Sequence, residues 1–324
     1  MKLPHRRQFL HLAAGAAALP FAPHVARAQA YPTRPVRIVV PVAPGGALDI
    51  IARLIAQWLS DHLRQAFVVE NRPGGGTNIG IEAVVRAPAD GYTLLLIPQS
   101  VTANATLYQH LSFNFIRDII PIAMISSLPL VMVVNPSFPA KSVLEFIAWA
   151  KANPGKVNMA SGGTGSASLS GASSSRTGIE MLHVPYRGGA PALTDLMGGQ
   201  VQVYFSPLPE SISAIESGKV RALAVTTAKR SQALPEVPTI GETISGFEAS
   251  TWQGIGAPNG TPEEIVVMLN KEINAALADE KTKARFAELG SVPMPMSPSD
   301  FGRLIADETE KWGKVIRTAN IKPE

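Results

Sequence analysis

Val36-Arg37-Ile38-Val39-Val40-Pro41-Val42-Ala43-Pro44-Gly45-Gly46-Ala47-Leu48-Asp49 is the stretch that decides the fold. Its first half is rich in β-branched residues and predicts a strand. Ala43-Pro44-Gly45-Gly46 then makes a turn. Leu48, Ile51, Leu54, Ile55, Trp58 and Leu59 recur at helical spacing, so a helix starts near Ala47. The same unit returns along the chain. Strands are predicted at 67–70, 93–97, 157–160, 181–184, 201–205, 220–226 and 251–255. Helices are predicted at 79–86, 143–151, 190–197, 209–216, 262–277, 280–288 and 298–318. The apolar run Ile119–Val134 contains Pro121, Pro129, Ser126 and Ser127 and is too short for a membrane span, so it reads as two strands joined by a turn. Alternating strands and helices give an α/β class with mainly parallel sheets. Two lobes are expected, one from 31–125 plus 250–324 and one from 126–249, with crossovers near 120–130 and 245–255.

The first thirty residues read as an address. A basic start, an apolar run from Phe9 to Ala22, and small-x-small sites at Ala26–Ala28 and Ala28–Ala30 form a signal-peptide pattern. Cleavage after Ala28 or Ala30 would place the chain in a bacterial periplasm. Arg6-Arg7-Gln8-Phe9-Leu10 resembles a twin-arginine export motif, and a Sec signal with two adjacent arginines reads the same way. The formal charge of +4 belongs to this segment. It holds Lys2, Arg6, Arg7 and Arg27 and no acid, and without it the 29 basic residues fall to 25, equal to the 25 acidic ones. A neutral remainder gives no electrostatic case for nucleic-acid binding. Three of the six histidines also lie here, and the chain has no cysteine, so a structural zinc site has almost no ligands. No metal and no cofactor are expected.

Three loops each follow a strand and precede a helix: Pro44–Asp49, Ser161–Ser166 and Tyr186–Pro191. Ligands of open α/β sheets sit at the carboxyl ends of strands. Glycine lets the backbone approach a ligand, and free N–H groups at a helix start favour an anion. Three such loops point to an anion pocket. Other chemistries fit less well. Gly163-Thr164-Gly165-Ser166-Ala167-Ser168 has Ser where a dinucleotide fingerprint needs its third glycine. The chain contains neither a phosphate-loop motif nor G-x-S-x-G. His183 reads as a packed or surface histidine, Asp49 and Asp195 as helix-position acids, and Trp58, Trp149, Trp252 and Trp312 as packing residues.

At these loops the sequence resembles the substrate-binding proteins of the tripartite tricarboxylate transporters, the Bug receptors. The resemblance rests on Pro41–Arg53, Val69–Gly75, Asn78–Gly80, Ala87–Leu94, His183–Leu196, Arg221–Thr226 and Pro235–Thr239, in that order and spacing. It implies a two-lobed periplasmic binding fold that captures a small organic carboxylate in the interlobe cleft and delivers it to an integral membrane permease. The protein would be monomeric and not an enzyme. A co-receptor for a sensor kinase uses the same closure, and a secreted hydrolase is the rival from another class. The implied ligand contacts are Pro44, Gly45, Gly46, Ala47, Leu48 and Asp49 of the first loop, with Asn78 and Ser100. From the second lobe come Ser161, Gly162, Gly163, Thr164, Gly165 and Ser166, then Tyr186, Arg187, Gly188 and Ala190. Asp49 is expected to orient water or cap the turn while main-chain N–H groups face the anion. Four or five charge-assisted hydrogen bonds at roughly 1.5–3 kcal/mol each, offset by ordering costs, suffice for micromolar affinity. One departure stands out. The family usually has a histidine soon after the Gly-Ser loop and then a bulky apolar helix, whereas Ser166–Ser175 is short, small and polar.

Overall fold

The computed structural model describes residues 31–108, 110–162 and 177–319. The segment up to Thr33 is a unit of its own, and all that follows concerns the unit from Arg34 onward. The expectations about export, about Gly163, Thr164, Gly165 and Ser166, and about the short Ser-rich segment lie outside the described residues.

The sheet runs β2(Phe67–Asn71)-β1(Val36–Val40)-β3(Thr93–Pro98)-β9(Ser250–Pro258)-β4(Ile119–Val134)-β7(Val203–Pro207)-β5(Asn158–Ser161)-β6(Leu182–Pro185), with β8(Arg221–Val225) and β10(Val292–Pro293) also pairing with β4. The expectation of mainly parallel sheets is corrected to a mixed sheet. β1, β2 and β3 are parallel, as are β5, β6 and β7, but β9 and β4 run antiparallel to their neighbours. β1 and β3 are almost wholly buried, which is why they read as continuous apolar runs rather than alternating ones.

The stretch 119–134 is a second correction. It forms one sixteen-residue strand rather than two with a turn. Its first part, to Pro129, pairs with β9, and from Leu130 onward it pairs with β7 and β8. Register shifts between Pro121 and Ala123, and between Met124 and Ser126, absorb the irregularity that the prolines and serines signal. One strand thus serves both halves of the sheet.

The helices follow the predicted pattern closely. α1(Ala47–Leu63) buries Ile51, Ala52, Ile55, Ala56 and Leu59. α2(Asn78–Val85), α5(Val143–Ala152), α6(Gly189–Met197), α7(Leu208–Glu216), α8(Glu263–Ala278), α9(Glu280–Glu288) and α10(Pro298–Ala319) lie where apolar spacing put them. α3(Ser100–Leu107) and the single turn α4(Phe115–Asp118) were not foreseen. On the second half-sheet, strand alternation splits the core between two faces. Met132, Val134, Val203 and Phe205 face one way, packed with Phe146 of α5. Val131, Val133 and Tyr204 face the other, packed with Leu196 of α6 and Leu208 of α7. That second face carries Tyr204 toward the starts of α6 and α7.

Candidate functional site

α1 and α6 begin at the carboxyl ends of their strands with glycine before the first turn. Neither Gly46 nor Gly188 caps its helix with a side chain. The first N–H groups of both helices therefore need other acceptors. The two helix starts approach each other. The Ala43 N–H donates to the Arg187 carbonyl at 3.0 Å, and a Cβ on Gly45 would lie 3.6 Å from the Ala190 Cβ. Gly45 takes φ +84°, a conformation that favours glycine.

The acceptor at the α1 start is Glu210, from the first turn of α7. Its Oε2 accepts the Ala47 N–H at 3.1 Å. Its Oε1 accepts from the Tyr204 hydroxyl at 2.5 Å and from Ser206 Oγ at 3.1 Å. The carboxylate also packs directly on Gly189, the first residue of α6: a Cβ there would fall 2.1 Å from both oxygens. Burial pushes the Glu210 carboxyl above its ordinary pKa, and the three donors only partly offset this. Burial and the neighbouring Glu210 raise the Tyr204 phenol well above its ordinary value.

A cavity of about 70 Å³ lies beside this carboxylate. Gly46, Ala47, Leu48, Ser100 and Gly162 line it, together with Tyr204, Glu210, Thr251 and Trp252. Among its described lining residues Glu210 is the one charged side chain. Thr251 Oγ1 and Trp252 Nε1 are buried without a hydrogen-bond partner among the described residues. Trp252 keeps the packing role read from the sequence, edge-on to Phe301 with centroids 5.5 Å apart, but it also walls the cavity.

The expected contact residues are thus divided. Gly46, Ala47, Leu48, Ser100 and Gly162 meet at the central cavity. Tyr186 and Arg187, again with Gly162, line a neighbouring groove of about 240 Å³. The Tyr186 hydroxyl donates to Asp195 at 2.6 Å, and burial together with that carboxylate pushes its pKa up to about 12. Asn78 lines a separate cavity of about 320 Å³ and accepts from Asn104 Nδ2 at 3.0 Å. Ser161 Oγ lies 2.6 Å from His183 Nε2. Gly45, Gly188 and Ala190 shape the contact between the loops, and neither they nor Pro44 line the central cavity. Asp49 is turned into the loop frame. Its carboxylate accepts from the Gly45 N–H, from two Arg53 nitrogens and from Asn71 Nδ2, all at 2.9 Å. Burial opposes its charge, but those bonds outweigh burial and hold the carboxyl below the usual range.

Sequence reading missed Glu210 and Tyr204. The signal was present in Tyr204-Phe205-Ser206-Pro207-Leu208-Pro209-Glu210, a fourth strand-to-helix junction at the same sheet edge, with an acid in place of glycine.

The comparisons with known proteins agree on one family. The model of the tripartite tricarboxylate transporter family receptor matches residues 51–321. BugT of Bordetella pertussis is 38% identical over 300 residues, spanning 91% of this chain and 92% of BugT. An R. palustris protein solved with adipate superposes with a TM-score of 0.88 at 38% identity, covering 91% of this chain and all of that one. MatC from Rhodopseudomonas palustris, solved with malate, superposes at 0.82 with 31% identity, covering 88% of this chain and all of MatC. The periplasmic binding protein BugD gives 0.87 at 33% identity, over 91% of this chain and all of BugD. The mixed α/β fold is that of these periplasmic binding proteins, and the chain belongs to the tripartite tricarboxylate transporter receptor family, the Bug proteins.

Proposed function

We propose that this chain is an exported periplasmic receptor that captures a small organic carboxylate between two lobes and delivers it to the membrane permease of a tripartite transporter. It acts as a monomer and performs no catalysis. The lobes are residues 31–125 plus 250–324 and residues 126–249. The observation that carries the reading is the convergence of helix starts from the two half-sheets on a single carboxylate group. The α1 N–H is bonded to it and Gly189 of α6 packs on it. Backbone N–H groups at helix starts suit an anion because the donors are fixed and the helix dipole favours negative charge. Unpartnered Thr251 and Trp252 donors at the same cavity would serve a ligand's remaining oxygens.

Adipate and malate, bound by the two R. palustris relatives, are the first ligands to test. A thermal-shift panel of mono-, di- and tricarboxylates, run on protein stripped of co-purified ligand, is the direct experiment. At a hundredfold excess over Kd, binding adds about 2.7 kcal/mol, a rise of several degrees for a chain of this size. A flat panel contradicts the reading.

A further inference from the structure

Glu210 occupies the place where the helix starts would receive a ligand's carboxylate. Its oxygens hold the Ala47 N–H, the Tyr204 hydroxyl and the Ser206 hydroxyl, and rest on Gly189. Among the described residues, no lysine or arginine lines the adjoining cavity. A carboxylate entering it therefore meets a carboxylate, with no cation to separate the two. Two such groups in contact cannot both stay ionised, because their repulsion in a poorly solvated site drives a proton onto one of them.

We propose that Glu210 is a specificity-determining residue that accepts a proton as a ligand carboxylate binds, forming a hydrogen-bonded acid–carboxylate pair between the starts of α1 and α6. The inference rests on the carboxylate-receptor reading. In the pair, the Glu210 carboxyl donates its O–H to one ligand oxygen. The ligand then accepts the main-chain and hydroxyl donors that Glu210 gives up. The proton comes from solvent, so nothing else is consumed. The upward push of burial on Glu210 makes it the group that keeps the proton.

Proton uptake makes affinity fall as pH rises. Above the Glu210 pKa of the free protein, Kd should weaken by up to tenfold per pH unit. Among the described residues, other titratable groups lie around the site, Arg187 of the neighbouring groove included. Tyr204 is held protonated by the rise in its own pKa. Asp49 and Arg53 of α1 are bonded to each other, and Asp195 of α6 accepts from Tyr186. His183, beside Ser161, has its pKa lowered by burial and is, among the described residues, the neighbour that could imitate the effect.

Titration calorimetry from pH 5 to pH 8 tests the proposal. The probe is adipate, or the panel carboxylate that raises the melting temperature most. The natural protein should show the slope and, in buffers of different ionisation enthalpy, uptake of about one proton per ligand near neutral pH. Glu210→Gln keeps the shape and a donor without the titration. It should bind with no slope and no proton uptake, and more tightly than the natural protein at pH 8. A slope that survives in Glu210→Gln assigns it to His183 and overturns the proposal. A panel binder with a flat profile in the natural protein overturns this inference but leaves the receptor reading intact. A panel without any binder overturns both.

Discussion

At the scale of single residues, Asp49 and Glu210 show how two carboxylates near one helix start take different parts. Asp49 faces back into its own loop, where Gly45, Arg53 and Asn71 all point donors at it. Asn71 also donates to the Val42 carbonyl, so this cluster ties strand end, turn and helix together. Asp49→Asn keeps the size but loses the charge that these donors address. The loss should be about 1–2 kcal/mol at neutral pH, at the low end for charged hydrogen bonds because Arg53 is half exposed. The pH dependence has a definite sign. The folded pKa of Asp49 lies below 3.8, so its stabilisation is complete above that value and disappears as pH falls through the folded one. Melting curves of the two proteins should therefore differ at pH 7 and converge below pH 3.8. A gap that persists in acid would mean that Asn disturbs the loop by shape rather than charge. Ligand affinity should weaken by less than about tenfold, or 1.4 kcal/mol, since the carboxylate lies apart from the central cavity.

At the scale of elements, β4 changes partners between Pro129 and Leu130, and Thr226 holds that junction together. Its buried hydroxyl lies 2.6 Å from the Ala249 carbonyl and 3.1 Å from that of Leu130, and accepts the Leu130 N–H at 3.2 Å. Thr226→Val preserves volume but takes this partner from the Ala249 carbonyl and the Leu130 N–H, while the Leu130 carbonyl keeps the Thr226 main-chain N–H at 2.9 Å. It should lower stability by about 1–3 kcal/mol, seen as a lower urea midpoint with an unchanged m-value. The junction also marks where sequence reading met its limit. Pro121 and Pro129 are ordinarily strand breakers, and only the long-range pairing with β9, β7 and β8 keeps the segment extended through them. α3 was invisible for a related reason. Ser100-Val101-Thr102-Ala103-Asn104-Ala105-Thr106-Leu107 has no apolar stripe, because most of the helix is buried and its polar side chains are bonded internally. α1, α8 and α10 present one apolar face each, so their spacing carried the information. The loops at the site were legible through glycine. Glu210 was not, because its strand-to-helix junction lacks the glycines that mark the other loops, and its bond to Ala47 depends on the tertiary approach of α7 to α1.

At the scale of the whole molecule, the proposed carboxylate capture would need the two half-sheets to part for ligand to enter. The central cavity of about 70 Å³ falls well short of the roughly 300 Å³ at which small-molecule sites begin. Among the described residues, the hydrogen bonds that join the loops across it include Ala43 to Arg187 and Ala47 to Glu210. Such contacts can exchange for water at little net cost, so a hinged opening is physically accessible. Scattering should show a smaller radius of gyration when a saturating carboxylate is added. A covalent staple makes the same argument more sharply. The chain has no cysteine, and a Cβ at Gly45 would stand 3.6 Å from that of Ala190, within the span of a disulfide. In Gly45→Cys/Ala190→Cys, oxidation should fix the loops together and stop carboxylate binding, and reductant should restore it. The positive φ at Gly45 makes cysteine there cost about 1–2 kcal/mol, which a Gly45→Ser/Ala190→Ser pair controls for. Unchanged binding by the fully oxidised protein would show that the ligand reaches its site without parting these loops, and the neighbouring groove beside Tyr186 and Arg187 would then be the place to look for it.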